Sequence, residues 1–262
     1  MSDAQYIHGT TLDEQRRLAA LNRLTNPPFV AFVNPQPGQQ VLEIGSGLGL
    51  LAHDLSCLVG DGHVTGVEYS VDQLRAAPRD PRLTFVQGDA HCLPWPDEHF
   101  DLVYCRYLLE HVARPEVVLR EAHRVLKPGG RFCTQENDIL VSVLDPECAA
   151  FEQLWRQFTI LQQRLGGDAR VGKRLLPLLQ QAGFTSIKLS IQPEVHWSGS
   201  PGFEPWIDNL LGNVVGAADH LVATGLATPP EIAAATQELQ QFKQRPDATA
   251  WFYWNRAEGV KR

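Results

Sequence analysis

Several things are scarce in this chain. It holds one methionine in 262 residues, and five cysteines with no CxxC pair among them. Cys57, Cys92, Cys105, Cys133 and Cys148 lack metal-ligand spacing, so no zinc site is expected. An odd count in a reducing compartment reads as free thiols. Cys105 and Cys133 fall in expected strands, where a thiol packs as a small apolar group. No apolar run approaches the ~18 residues of a membrane-spanning helix. The first residues, with Asp3, Asp13, Glu14, Arg16 and Arg17, do not read as a signal peptide. A cytoplasmic protein is expected. Basic excess is missing too: the formal net charge is −7 and the charges are interspersed. Nucleic-acid binding normally leaves a basic stripe, so no nucleic-acid partner is expected. No repeat or low-complexity tract occurs.

What is present is a chain 44% hydrophobic, long enough for one substantial α/β core with a small cap. The organising stretch is Val41 to Leu50, VLEIGSGLGL. Val41, Leu42 and Ile44 read as a buried parallel strand that stops at Gly45, Gly47 and Gly49. Leu50, Leu51, Leu55 and Leu58 then recur at helical spacing. Strand, glycine turn and helix open a nucleotide-binding unit, whose helix start offers N–H groups and a positive dipole end. The spacing is GxGxG, and Leu50 stands where a dinucleotide fingerprint needs its third glycine. Glu43, inside the strand, is costly to bury unless it meets a polar or cationic partner. The second expected strand, His63 to Ser70, carries Glu68, placed to accept from two ribose hydroxyls. Tyr69 beside it is suited to stack on a base.

The order of the following segments adds to this. LTFVQGDA (Leu83 to Ala90) is a third strand and its exit. LPWPDEHFDLVYCRYLLEHV (Leu93 to Val112) brings a Pro-rich loop, a fourth strand from Phe100 to Cys105, and a loop with Arg106, Tyr107, Glu110 and His111. Pro115 opens an amphipathic helix with Val118, Leu119, Ala122 and Val125 inward. LKPGG (Leu126 to Gly130) turns into a fifth strand, Arg131 to Glu136. The series GxGxG, acid after strand two, GDA, PxxxxFDxV, LEH and LKPGG resembles the class I S-adenosylmethionine-dependent methyltransferases. Its small-molecule branch, with the quinone and sterol C-methyltransferases, is the most similar. The resemblance is strong over Val41 to Glu136 and loose over the last two strands.

That resemblance implies a doubly wound, mostly parallel, seven-stranded Rossmann-like sheet with an antiparallel last strand. It implies S-adenosyl-L-methionine as cofactor, with Glu43, Gly45, Ser46, Gly47 and Gly49 around its methionine part. Glu68 and Tyr69 would take the ribose and adenine. Gly88, Asp89 and Ala90 would meet the adenine edge. Cys105 and Arg106 lie at the cleft end of strand four, and Tyr6 is expected to close over the site. His111 and Glu136 are candidate catalytic groups. Tyr107, Asp138, Trp155 and Trp206 are candidate contacts to a small-molecule substrate. The acceptor atom, O, N or C, stays open, as does a homodimer. An NAD-dependent oxidoreductase and a non-catalytic cofactor-binding scaffold remain as alternatives.

The rest of the chain is expected to form caps. Residues 1–30 hold a helix from Leu12 to Leu24, ended by Pro27 and Pro28. Residues 145–182 read as helical, with Phe151, Leu154, Trp155, Phe158 and Leu161 on one stripe. Ser186 to Trp197 alternates as a strand, and Ala248 to Asn255 is the last. The core is thus 31–197 plus 247–262. Residues 198–246 form a helical insertion, a candidate substrate lid.

Overall fold

A computed structural model of the protein describes residues 12–262. Tyr6 and His8 lie outside the described residues. The central sheet has eight strands. β1 (Gln40–Ile44), β2 (His63–Glu68), β3 (Leu83–Gln87), β4 (Phe100–Arg106) and β5 (Leu126–Glu136) run parallel in the order β3-β2-β1-β4-β5. β8 (Thr249–Val260) is antiparallel to β5. Its far edge pairs with β7 (Thr185–Trp197), and its start pairs with a short β6 (Val143–Asp145). β6 is the strand the alternation pattern did not reveal: three residues are too few for a period. It continues along β8 the edge that β5 occupies.

Helices cover both faces. α2 (Leu50–Ser56) follows β1, α3 (Val71–Arg75) follows β2, α4 (Pro115–Val125) follows β4, and α6 (Leu175–Gln181) precedes β7. Val118, Leu119, Ala122 and Val125 of α4 are fully buried, as the 3.6-residue pattern requires. The strand order reverses between β1 and β4. In such sheets the crevice beyond the carboxyl ends at that reversal is where ligands bind.

A third layer sits over that crevice. It consists of α1 (Leu12–Val33), α5 (Ala149–Arg164), α7 (Phe203–Ala223) and α8 (Pro229–Lys243). α5, α7 and α8 share one apolar cluster with Phe252 and Trp254 of β8. The expected end of α1 at Pro27 and Pro28 is corrected: both prolines sit inside the helix. An interior proline costs about 3 kcal/mol, through a lost N–H bond and a clash with the preceding turn. Burial offsets this loss. Phe29 and Val33, beyond the prolines, are fully buried, and Phe29 packs on Tyr104 with ring centroids 6.1 Å apart. Among the described residues no helix is long and apolar enough to cross a membrane.

Candidate active site

A cavity of about 470 Å³ lies in the crevice, between the ends of β1, β2 and β4 and the helical layer. Its sheet-side wall is the glycine turn. Gly47 has φ 55°, and a Cβ there would stand 2.9 Å from Gln73 Oε1, so only glycine fits without displacing the wall. Gly49, at φ 70°, starts α2 and faces Phe85: its absent Cβ serves packing, and Gly49 is not in the cavity wall. Glu68 fixes the turn. Its Oε2 accepts the Gly47 N–H at 2.9 Å and its Oε1 accepts the Ser70 N–H at 2.8 Å. A carboxylate has about four acceptor positions, so both oxygens keep capacity for ligand hydroxyls. Ser46 is buried, and its hydroxyl has no partner among the described residues. Tyr69, 67% exposed, offers an uncovered ring at the rim.

Glu43 also reaches the cavity. Burial pushes its pKa up to about 8, against the pull of the Arg106 charge. Arg106 lines the cavity but is held by α1. Its guanidinium donates to Asn22 Oδ1 and Asn26 Oδ1, both at 2.6 Å, and to Thr25 Oγ1 at 3.2 Å. It also lies over the rings of Phe29 and Tyr107. Tyr107 turns the chain at φ 55°. Its ring packs 4.4 Å from that of Trp254.

The loop after β4 carries Glu110 and His111 into the wall. Asn137 Nδ2 donates to both oxygens of Glu110, at 2.7 and 2.6 Å. Burial, and then the neighbouring Glu136, push the Glu110 pKa up to about 8. His111 Nε2 is 3.4 Å from Glu110 Oε1. Burial, with help from the Arg17 charge, pushes His111 down to about 4. The imidazole is therefore neutral at physiological pH.

The helical layer and β8 supply the remaining wall. Trp155, Trp206, Phe252 and Trp254 bring rings, and Gln162, Asn209 and Asn213 bring amides. Of the residues expected from sequence, the cavity therefore gathers Glu43, Gly45, Ser46, Gly47, Glu68, Tyr69, Arg106, Tyr107, His111, Trp155 and Trp206. It gathers neither Gly49 nor six others. Cys105 is in the core beneath it. Glu136 is fully buried under the loop and accepts the N–H groups of Leu108 at 3.3 Å and Leu109 at 3.2 Å. Asp138 is an ion-pair hub, 3.1 Å from Arg170 and 2.7 Å from Lys173. Gly88, Asp89 and Ala90 follow β3 outside the wall, and Asp89 accepts from the backbone and ring of His91.

Glu110 and Asn137 went unselected in sequence, although each adjoins a selected residue. Asn209 and Asn213 follow Trp206 at spacings of three and four, one helical face. That signal was legible.

Comparison with known proteins bears on this site. Residues 42–134 match the family described as "Methyltransferase domain". The ubiquinone/menaquinone biosynthesis C-methyltransferase of Ectopseudomonas mendocina is 35% identical over 148 residues, 51% of this chain and 57% of that protein. The chain spans about half the length of the curated relatives it matches. Among solved structures, the YcgJ protein of Bacillus subtilis superposes with a TM-score of 0.59 at 18% identity, over 92% of this chain and 99% of that one. The Haemonchus contortus phosphoethanolamine N-methyltransferase 2, solved with S-adenosyl-L-methionine, superposes with a TM-score of 0.55 at 19% identity. That match covers 94% of this chain and 52% of the other. At these identities the structural likeness speaks for the fold.

Proposed function

We propose that this chain, whose residues 42–134 match the methyltransferase-domain family, moves a methyl group from S-adenosyl-L-methionine to a nucleophile of a small molecule. The observation that carries this reading is the turn at Gly47 locked by Glu68, opening onto a cavity with an aromatic far wall. The donor set suits the cofactor. Backbone groups of Gly45 to Gly47 would hold its amino-acid part, Glu68 its ribose hydroxyls, and Tyr69 its adenine. Bound there, the cofactor supplies an already activated sulfonium methyl.

What remains for the protein is alignment, which can be worth about 7–11 kcal/mol of barrier. His111, neutral in its buried setting, would take the proton of an O–H or C–H acceptor. Glu110, clamped by Asn137, would hold that imidazole. Glu136 would act at one remove, by fixing the backbone of the loop that carries both. Aromatic faces can stabilise a cationic methyl donor by roughly 0.5–2 kcal/mol; Trp155, in the cavity wall, would offer one. We read α1 and the insertion 198–246 as the lid that excludes water.

Calorimetric titration with S-adenosyl-L-methionine, S-adenosylhomocysteine and NAD tests the reading. Binding of the first two without NAD is expected. Binding of NAD alone would overturn it.

A further inference from the structure

We propose that the uncovered sheet face built by β6, β8 and β7 binds a second copy of this chain, face to face about a two-fold axis. This face lies outside residues 42–134, so the family match does not reach it. It is also not the cavity. Side chains alternate along a strand: Phe252 and Trp254 of β8 line the cavity, and Trp251 and Tyr253 point the other way.

The first observation is a continuous apolar surface. Residues directly opposite each other in neighbouring strands share one face of the sheet. The register therefore places Val143 and Val195 on either side of Trp251, Trp197 beside Thr249, Pro193 beside Tyr253, and Ile191 beside Asn255. One step further along, Leu189 opposes Ala257, which is buried in the cluster that α4 and α6 form with the sheet. The helical cover ends there. Val143, Leu189, Ile191, Trp197 and Trp251 are each at least 50% exposed, and Val195 is 38% exposed.

The second observation is that the free edge of β7 is blunted while its face is not. β7 pairs only with β8 among the described strands. Pro193 interrupts it and has no N–H to give to a further strand. The Trp197 N–H is spent on Ser200 Oγ at 3.1 Å, and the Pro193 carbonyl accepts from Gln192 Nε2 at 3.1 Å. An incoming strand would find few backbone groups to pair with. Association through this region must use side chains.

The third observation, charge and area together, selects the occupant. The exposed side chains of these rows are uncharged except for Asp145, at the corner beside Thr249. A nucleic acid or an anionic membrane surface meets no basic group in these rows, and the formal net charge of −7 opposes both. A second copy needs no counter-charge, because an apolar face is complementary to itself in a two-fold dimer. The uncovered parts of the six apolar side chains amount to roughly 600 Å², the upper end of what a lone chain exposes in one patch. Two copies would remove about 1,200 Å² from water, the size at which specific interfaces begin. Two sheets can pack in this way about 10 Å apart with interdigitating side chains. Trp197 and Trp251 are of the type that anchors such contacts. β8 would then carry the cavity on one face and the partner on the other.

The test is sedimentation equilibrium of the full-length protein from about 1 to 200 μM, with a dimer Kd of about 10 μM or tighter expected. Hydroxyl-radical labelling of Trp197 and Trp251 should fall several-fold at the high concentration. Trp197→Glu and Ile191→Glu each place two carboxylates in the apolar contact and should weaken the dimer at least about 100-fold. S-adenosylhomocysteine affinity, which reports an intact fold, should be the same in both variants as in the unaltered protein. A chain that stays monomeric at 200 μM overturns the proposal without any variant. So does a dimer in which both tryptophans label equally at the two concentrations, or one that survives both substitutions. A monomer that co-floats with phosphatidylcholine vesicles would give the face to a neutral lipid surface instead, and overturns it too.

Discussion

Glu68 organises its own surroundings before it meets any ligand. By accepting the N–H groups of Gly47 and Ser70 it shapes the turn that a cofactor must enter. Glu68→Ala therefore removes the brace of the loop and, on the proposed function, a ligand contact. Gly47→Val forces a branched side chain into a left-handed conformation against Gln73. Each substitution is expected to weaken S-adenosylhomocysteine binding at least about 100-fold, loss of a buried charge-assisted contact being worth roughly 3 kcal/mol. Calorimetry reads this directly, and unchanged affinity in both would remove the site from this turn. His111→Ala should behave differently. Cofactor affinity should stay within about twofold, while single-turnover transfer falls roughly 10²-fold or more, the usual contribution of a positioned base. Because burial pushes the His111 pKa down to about 4, the transfer rate should show no histidine-like rise between about pH 6 and 7. Such a rise, absent from His111→Ala, would refute a permanently neutral imidazole.

At the scale of elements, the contact between Arg106 and α1 is the hinge of the site. One side chain at the end of β4 joins three residues of α1, Asn22, Thr25 and Asn26, and Asn26 in turn reaches Asp54 of α2 at 2.6 Å. A guanidinium serves this geometry because its donors form a planar fork, and lysine has none. Arg106→Lys should then loosen α1 nearly as much as Arg106→Ala. Faster amide exchange across residues 17–26, with about 1–3 kcal/mol lost in global stability, is the expected reading. Full protection of α1 in the lysine variant would show that packing at Phe29 and Val33 holds the helix unaided. These elements also show where local signals end. β1, β2, β4 and α4 were legible because each carries its own periodicity. The continuation of α1 through two prolines was not, since the compensating burial of Phe29 lies against Tyr104, 75 residues away in the chain (104 − 29).

The whole molecule stores three buried carboxyl groups in and under one cavity. The pKa values of Glu43 and Glu110 are pushed up to about 8, and that of Glu136 to about 7, from an ordinary 4.5. The first cause in each is burial. Between the ordinary value and the raised one, the folded protein holds protons that the unfolded chain has lost, so stability falls as pH rises. His111 has the opposite sign: depressed from 6.5 to about 4, it makes the fold less stable as pH drops through that range. Above about pH 6.5 only the carboxyl groups act. The melting temperature should decline from about pH 6.5 to about pH 8 and then level. Glu136→Gln, which keeps an acceptor for Leu108 and Leu109 but cannot ionise, should flatten part of that slope. A melting temperature that rises over this window in scanning calorimetry would mean that these groups stay ionised in the fold.

Sequence alone determined the parallel sheet, the glycine turn and the place of Glu68 at the end of β2. Each of these is written within a few neighbouring residues, where spacing translates directly into geometry. It also named Trp155 and Trp206 by type. Tertiary structure alone decided their roles. Glu110 meets Asn137, Arg106 turns to α1, Glu136 goes beneath the loop, and Trp206 stacks on His196. Those outcomes depend on which distant side chains arrive alongside. Burial then sets the price: the same carboxyl or indole is unremarkable in water, and becomes decisive once water is gone and its partners are fixed.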